Sequence, residues 1–189
     1  MKTIATIIFA FISVFVTAQT KLDTLVFNKV NEYRVSKGVP ELKWDTNSFK
    51  AANLHTKYLF RKNFALWPVT FSGHSEDTLK SPSDRFESIS KERWTKVGEA
   101  ALAISKNYKV GDTLMYNKMA TEIVTAWKLS EKHNEIILSR EYVFGGVSCD
   151  SFVKGPQAFI IDKDKNIRKI ELKGVDSYRI VSTFFLIKK

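Results

Sequence analysis

The sequence predicts an α+β domain in which several helices stack on a small sheet. The first half of the chain has apolar residues at helical spacing, and the last part is rich in β-branched and aromatic residues. No linker, repeat or low-complexity segment separates these parts. With 189 residues, of which 44% are hydrophobic, the chain is long enough for one domain with a sizeable core.

The first 18 residues have the pattern of a cleavable signal peptide. A lysine near the start precedes an apolar run from Ile4 to Val16, and small residues surround the end at Ala18. The run is shorter than the roughly 20 residues that span a bilayer, so cleavage is expected rather than a membrane anchor. No cysteine follows the expected cleavage site, which argues against a lipoprotein. We therefore expect a secreted or periplasmic protein in which residues 19–189 form a single domain outside the membrane.

Helical periodicity and capping residues predict four helices. They run from Lys21 to Lys37 with Gly38 as the stop, from the N-cap Asp45 to about Arg61, from Pro82 over a short stretch, and from Leu114 onward through Trp127. At about 100° per residue, Trp127 and Ser130 share one face of the last helix, and His133 lies one turn further on. If that helix is continuous, Ser130 and His133 point into the same hollow.

The remaining segments are predicted to form strands joined by loops. Strands are predicted over Ala100–Ile104, Tyr142–Phe152, Ala158–Ile161, Ile167–Leu172 and Ile180–Ile187, with a loop over Asn107–Asp112. The third and fourth of these form a hairpin across the polar turn at 162–166. Gly98 is expected to bend the backbone ahead of the first strand, so that Glu99 faces inward.

The charge and the cysteine content limit the functional classes. A formal net charge of +10 with lysines spread along the chain favours adsorption to anionic surfaces such as cell wall or lipid headgroups. No motif of a nucleic-acid module accompanies it, so no specific nucleic-acid partner is expected. The single cysteine, Cys149, excludes an internal disulfide and lies in an apolar run, where a buried strand residue is expected.

Three histidines are present, and two of them follow the pattern of site residues. His74 lies in a long irregular stretch, His133 follows an apolar helix, and Glu99 begins an apolar run. Two imidazoles and a carboxylate could hold a divalent metal such as zinc, or could act as an acid–base pair. Alternatively, the two histidines cap loops and Glu99 pairs with Arg85. His55 lies on an apolar helical stripe, where a core histidine with one satisfied hydrogen bond is expected.

A set of short motifs occurs in an order that resembles the CAP superfamily, which includes cysteine-rich secretory proteins, venom antigens and plant pathogenesis-related proteins. The motifs are Asn31-Glu-Tyr-Arg34, Gly38-Val-Pro-Glu-Leu42-Lys-Trp44-Asp45, Ala52-Asn-Leu-His55, Gly73-His74, Arg85, Gly98-Glu99 and Trp127-Lys-Leu-Ser130-Glu-Lys-His133. The last motif is similar to the W-x-x-S-x-x-H pattern of the bacterial SCP-like branch.

The resemblance implies an α-β-α sandwich with helices on both sides of a small antiparallel sheet. It also implies a cleft that takes up zinc in some members. His74 matches the first cleft histidine of the family, and Glu99 matches the glutamate of its Gly-Glu-Asn motif, although Ala100 replaces the asparagine. Ser130 stands where eukaryotic members carry a second cleft glutamate, and His133 belongs to the bacterial pattern. Members of the family are linked to lipid or sterol binding, to surface interaction and in places to proteolysis.

Three functions follow as hypotheses. The first is an exported binding protein whose cleft holds a divalent metal, a small or lipidic ligand or a surface partner through His74, Glu99 and His133. The second is a hydrolase with Ser130 as nucleophile, His133 as base and Glu99 as orienting carboxylate. The third is an adhesive protein that acts through its basic surface. Binding is favoured over catalysis, because Ser130 follows helical residues with no strand-to-helix elbow and no evident oxyanion hole.

Overall fold

A computed structural model describes residues 19–65, 74–109, 112–153, 157–161, 167–171 and 175–189. The predicted signal peptide, Gly73 and the hairpin turn at 162–166 lie outside the described residues. The helices are α1 (Lys21–Ser36), α2 (Thr46–Ala65), α3 (Pro82–Ile89), α4 (Met115–Leu129) and α5 (Glu131–Leu138). The strands are β1 (Lys43–Trp44), β2 (Lys96–Lys109), β3 (Phe144–Val153), β4 (Gln157–Ile161), β5 (Ile167–Glu171) and β6 (Val175–Lys188). No described helix is long and apolar enough to cross a membrane.

Local chemistry explains where the first helices begin and end. Gly38 follows α1 with φ of 68°, a left-handed conformation that glycine adopts without strain, so the predicted stop is confirmed. The Asp45 carboxylate accepts the amide of Ser48 at 2.7 Å, which confirms Asp45 as the N-cap of α2. Pro82 occupies the first turn of α3, where its missing N–H is harmless.

The sheets place four strands in the order β1-β3-β6-β2 and pair β4 with β5. β6 is antiparallel to both β2 and β3, and the predicted hairpin partners β4 and β5 are also antiparallel. The short strand β1 joins β3 in parallel, so the main sheet is mixed at that edge. The other edge is β2, whose outer side is therefore open to residues from loops and helices.

Side chains of the central strand β6 alternate between the two faces of the sheet, and each face packs against a different layer of helices. Phe184 and Leu186 face a core formed with α1, α4 and α5, whereas Phe185 and Ile187 face α2 and α3. Successive side chains of a strand point to opposite faces, so one apolar strand supplies both cores. The fold is thus the predicted α-β-α sandwich of the α+β class.

Two boundaries differ from the sequence prediction. The loop predicted from Asn107 is wrong for its first residues, because β2 continues to Lys109 against the equally long β6, with Asn107 opposite Ser177. The helix that begins near Leu114 also does not continue to His133, so the condition for Ser130 and His133 to point into one hollow is not met. Ser130 adopts an extended conformation (φ −88°, ψ 114°) that ends α4 and begins α5.

Candidate functional site

A cluster of charged and imidazole side chains lies at the open edge of the main sheet. Glu99 belongs to the edge strand β2 and shares its face with Ala101, which packs against α2. The other members come from α2, from the segment before α3, from α3 and from α5. They are His55, His74, Glu76, Arg85 and His133. We call these six residues the edge cluster.

Glu99 is the centre of the edge cluster. Its side chain is 1% exposed, with Oε1 2.8 Å from Nδ1 of His74 and Oε2 2.5 Å from Nη2 of Arg85. Burial raises the pKa of Glu99, but the hydrogen bond from His74 and the nearby charges of His55 and Arg85 outweigh it, so the pKa lies below its ordinary value. Glu99 is therefore a carboxylate at neutral pH, and His74 donates its Nδ1–H to it.

His55 and Glu76 form the inner wall of the edge cluster. His55 is fully buried, with Nδ1 2.8 Å from Oε1 of Glu76 and Nε2 3.8 Å from Oε1 of Glu99. Nη1 of Arg85 lies 3.5 Å from Glu76, so the guanidinium faces both carboxylates. Two carboxylates against one guanidinium leave one negative charge to be balanced by an imidazolium or by another cation.

Arg85 also fixes the backbone that carries His74. Its guanidinium donates to the carbonyl oxygens of His74, at 3.1 and 3.2 Å, and of Leu79, at 3.1 Å. α3 presents Arg85 from a helix with a capping box at Ser81 and Asp84, which anchors its first turn. A helix side chain thereby holds an irregular segment against the sheet edge.

His74 and His133 form the outer side of the edge cluster. The side chain of His74 is 42% exposed, and its ring centre lies 5.9 Å from that of His133 in an edge-to-face arrangement. Partial burial, together with the charge of His74, lowers the pKa of His133, and Glu99 opposes this only in part. His133 is therefore neutral at pH 7 and can act as a nitrogen ligand.

Close packing at Gly98 brings α5 to the sheet edge. A Cβ at Gly98 would lie 2.7 Å from the Tyr142 hydroxyl and 3.0 Å from Cγ2 of Ile136 in α5. Gly98 lies inside β2 and its φ is not positive, so it makes no left-handed turn, and Glu99 faces inward as expected. The absence of a side chain lets the helix that carries His133 approach β2.

The structure does not assemble the hydrolase triad. Ser130 is the residue between α4 and α5, and its side chain caps neither helix. Within the described part of the chain no hydrogen bond joins Ser130 to His133, and Glu99 bonds His74 instead. The break at Ser130 removes the helical geometry on which this hypothesis depended.

The sequence analysis named four of the six members of the edge cluster as site residues or their partner and missed the roles of the other two. His74, Glu99 and His133 lie together, and the Glu99–Arg85 pair expected as the alternative is present as well. His55 was expected to be a core residue, and it is buried, but it also connects the two glutamates. Glu76 carried no sequence signal, because an acidic residue in a polar loop is ordinary.

The described residues do not form a three-ligand metal site. No group of three His, Cys, Asp or Glu side chains among them is arranged to hold a metal ion. Glu99 is engaged by His74 and Arg85, so it does not face outward as a third ligand. The arrangement fits a site with two imidazole ligands, in which a buried carboxylate orients one of them.

Comparison with known proteins defines the family. The model of the cysteine-rich secretory protein (CAP) family matches residues 27–157, which is more than half of the chain. The chain belongs to the CAP family. None of the curated protein sequences matches this CAP protein.

Solved bacterial structures share the CAP fold. An extracellular protein containing an SCP domain from Bacillus anthracis has a TM-score of 0.57 at 20% identity, covering 89% of this chain and 40% of that protein. An outer surface protein from Borrelia burgdorferi has a TM-score of 0.53 at 15% identity, covering 91% of this chain and 96% of that one. This CAP protein thus spans less than half the length of the Bacillus protein, and at these identities the likeness concerns the fold alone.

Proposed function

We propose that this CAP protein is an exported binding protein whose edge cluster takes up a divalent metal ion, such as Zn²⁺, through His74 and His133. The observation that carries the proposal is the 2.8 Å contact between Nδ1 of His74 and the buried Glu99 carboxylate. A metal-binding histidine commonly donates its second ring nitrogen to a carboxylate, which fixes the tautomer and makes the ligand more basic.

The protonation states favour metal uptake. When Nδ1 of His74 donates to Glu99, Nε2 is the ring nitrogen left to bind a metal ion, which displaces any proton there. The lowered pKa of His133 leaves that imidazole neutral at pH 7. Two neutral imidazoles suit Zn²⁺ and related transition ions, while water or a small ligand would complete the coordination.

The charge of the edge cluster supports a cation at its outer side. Glu76 and Glu99 are both almost fully buried and share the guanidinium of Arg85. Among the described residues this leaves one negative charge when His55 is neutral, and a cation near the partly exposed His74 would balance it. A metal ion there would supply Lewis acidity to a ligand, whereas Glu99 would orient His74 and Arg85 would hold its backbone.

Export is supported by the sequence and by the proteins that share the fold. Residues 1–18 carry the pattern of a cleavable signal peptide, and the two structural relatives above are described as an extracellular and an outer surface protein. The proposed setting is therefore outside the cytoplasm.

The test is zinc calorimetry on the chain 19–189 and on its His74→Ala, His133→Ala and Ser130→Ala variants. Both histidine variants are expected to lose the binding heat, because each removes one of the two proposed protein ligands. Ser130→Ala is the matched control and should bind as the wild type does. No heat with the wild type, or equal heats with all four proteins, would remove the metal from the proposed function.

A further inference from the structure

We propose that Gln19 becomes the first residue of the exported protein and closes into a pyroglutamyl residue. This inference rests on the proposed export, and specifically on cleavage after Ala18. Val16 and Ala18 occupy the positions three and one residues before that cleavage site, where small residues are required. The next residue is glutamine, whose side chain can react with a free α-amino group on the same residue.

The reaction is an intramolecular transfer of an acyl group. The α-amine of Gln19 attacks its own side-chain amide carbonyl, and a five-membered lactam forms as the bond from that carbonyl to the amide nitrogen breaks. The amide nitrogen leaves as ammonia, with a proton from the attacking amine. No oxidant, metal or second substrate is needed, because both reacting groups belong to one residue and closure is unimolecular.

The structure leaves Gln19 free for this reaction. Gln19 is exposed and precedes α1, and its side chain has no hydrogen bond within the described part of the chain. The next residue is fixed instead: the Thr20 amide donates to Oδ2 of Asp23 at 2.7 Å, and the Thr20 hydroxyl accepts the Asp23 amide at 3.2 Å. Cyclisation keeps the peptide bond between Gln19 and Thr20, so this capping box survives it.

Closure also removes a charge that α1 disfavours. A free α-ammonium on Gln19 would lie beside the N-terminus of α1, where the helix dipole opposes positive charge, and Lys21 adds another. The Asp23 carboxylate already accepts the amides of Thr20 and, at 2.7 Å, of Cys149. The neutral lactam therefore suits this helix end better than the amine, and it blocks attack by aminopeptidases.

The experiment uses the full precursor, exported by a bacterial host and purified from outside the cytoplasm. Its intact mass and N-terminal peptide are measured at once and after prolonged incubation in phosphate buffer. The wild type is expected to lack residues 1–18, to lose the mass of one ammonia and to resist stepwise degradation until pyroglutamyl peptidase is added. The matched control is Gln19→Asn, which is one methylene shorter, would need a strained four-membered ring and should keep its amine.

The outcomes separate cyclisation from export. A wild-type chain that begins at Gln19 and keeps its amine after the incubation would overturn the cyclisation while leaving the export intact. A chain that keeps its leader, or begins elsewhere, would overturn both the cleavage site and the cyclisation. The cyclised wild type should also melt at a higher temperature than Gln19→Asn in low salt, with a smaller difference in high salt. Equal melting temperatures in low salt would overturn the stabilising effect of the lactam.

Discussion

The guanidinium of Arg85 lies 2.5 Å from the carboxylate of Glu99, and the two side chains are 0% and 1% exposed. This ion pair joins α3 to the edge strand β2, beneath the partly exposed His74. A buried charge pair contributes little net stability when both partners are present, but loss of one partner leaves the other charge uncompensated. The position of the outer histidines therefore depends on an ion pair that is buried away from solvent.

Arg85→Met should destabilise the protein strongly. Methionine retains much of the buried volume but removes the guanidinium that faces both carboxylates and releases the backbone of His74. Breaking a buried pair in this way costs about 3–5 kcal/mol. The free energy of unfolding, measured by urea titration, is expected to fall by this order.

The matched control for Arg85 is Lys96→Met. Lys96 pairs with Glu141 at the surface, and both side chains are about half exposed, at 49% and 48%. Solvent screens such a pair, so little change in the urea midpoint is expected. If both substitutions lowered stability equally, the buried pair would not have the role described above.

Glu99→Gln should weaken zinc binding without abolishing it. Glutamine keeps an oxygen that can accept from His74 but loses the negative charge that makes the imidazole more basic. Loss of such an orienting carboxylate typically costs about 10–100-fold in metal affinity. Calorimetry should therefore rank the wild type first, Glu99→Gln second and His74→Ala last.

Circular dichroism on Glu99→Gln checks that the fold persists during this comparison. An affinity equal to that of the wild type would mean that Glu99 does not act through His74. Complete loss of binding by a folded Glu99→Gln protein would instead identify Glu99 as a direct ligand, as the sequence first indicated.

Much of the fold could be predicted because short-range signals determine it. Asp45 and Gly38 bound their helices through local hydrogen bonding and backbone conformation, which a sequence displays directly. The strand at 180–187 has the composition of a buried strand. The order of the CAP family motifs predicted that helices lie on both sides of the sheet. The local signals alone do not determine this arrangement.

The features that the sequence did not predict depend mostly on contacts between residues distant in sequence. The length of β2 is set by β6, whose residue Ser177 pairs with Asn107. His55 bonds Glu76 and lies 3.8 Å from Glu99, and neither contact can be inferred from the apolar stripe that contains it. The end of α4 at Ser130 could not be predicted, because no glycine or proline marks it in the sequence.

Gly146→Ala should destabilise the protein, because α2 begins directly against this position. A Cβ at Gly146 would lie 2.3 Å from the amide nitrogen of Phe49 and 2.9 Å from the carbonyl oxygen of Asp45. These are backbone atoms, which cannot turn aside as a flexible side chain can. Overpacking of this kind costs about 1–3 kcal/mol or more in the free energy of unfolding.

Gly38→Ala separates this steric effect from the conformational one. Its φ of 68° disfavours alanine, yet the nearest atom to a Cβ there, on Arg140, lies 4.0 Å away. The expected cost is about 1–2 kcal/mol, from the left-handed backbone alone. Gly146→Ala as stable as the wild type in a urea titration would contradict the close approach of α2 to β3.

Cys149 should be unreactive until the protein unfolds. It is 9% exposed in β3, and burial, reinforced by the charge of Asp23, raises the pKa of its thiol well above the ordinary value. Since the thiolate is the reactive form, alkylation by iodoacetamide at pH 8 should be slow in buffer and fast in concentrated urea. Mass spectrometry measures the extent of labelling, and Cys149→Ser gives the background. Equal alkylation rates in buffer and in urea would contradict the burial of this strand.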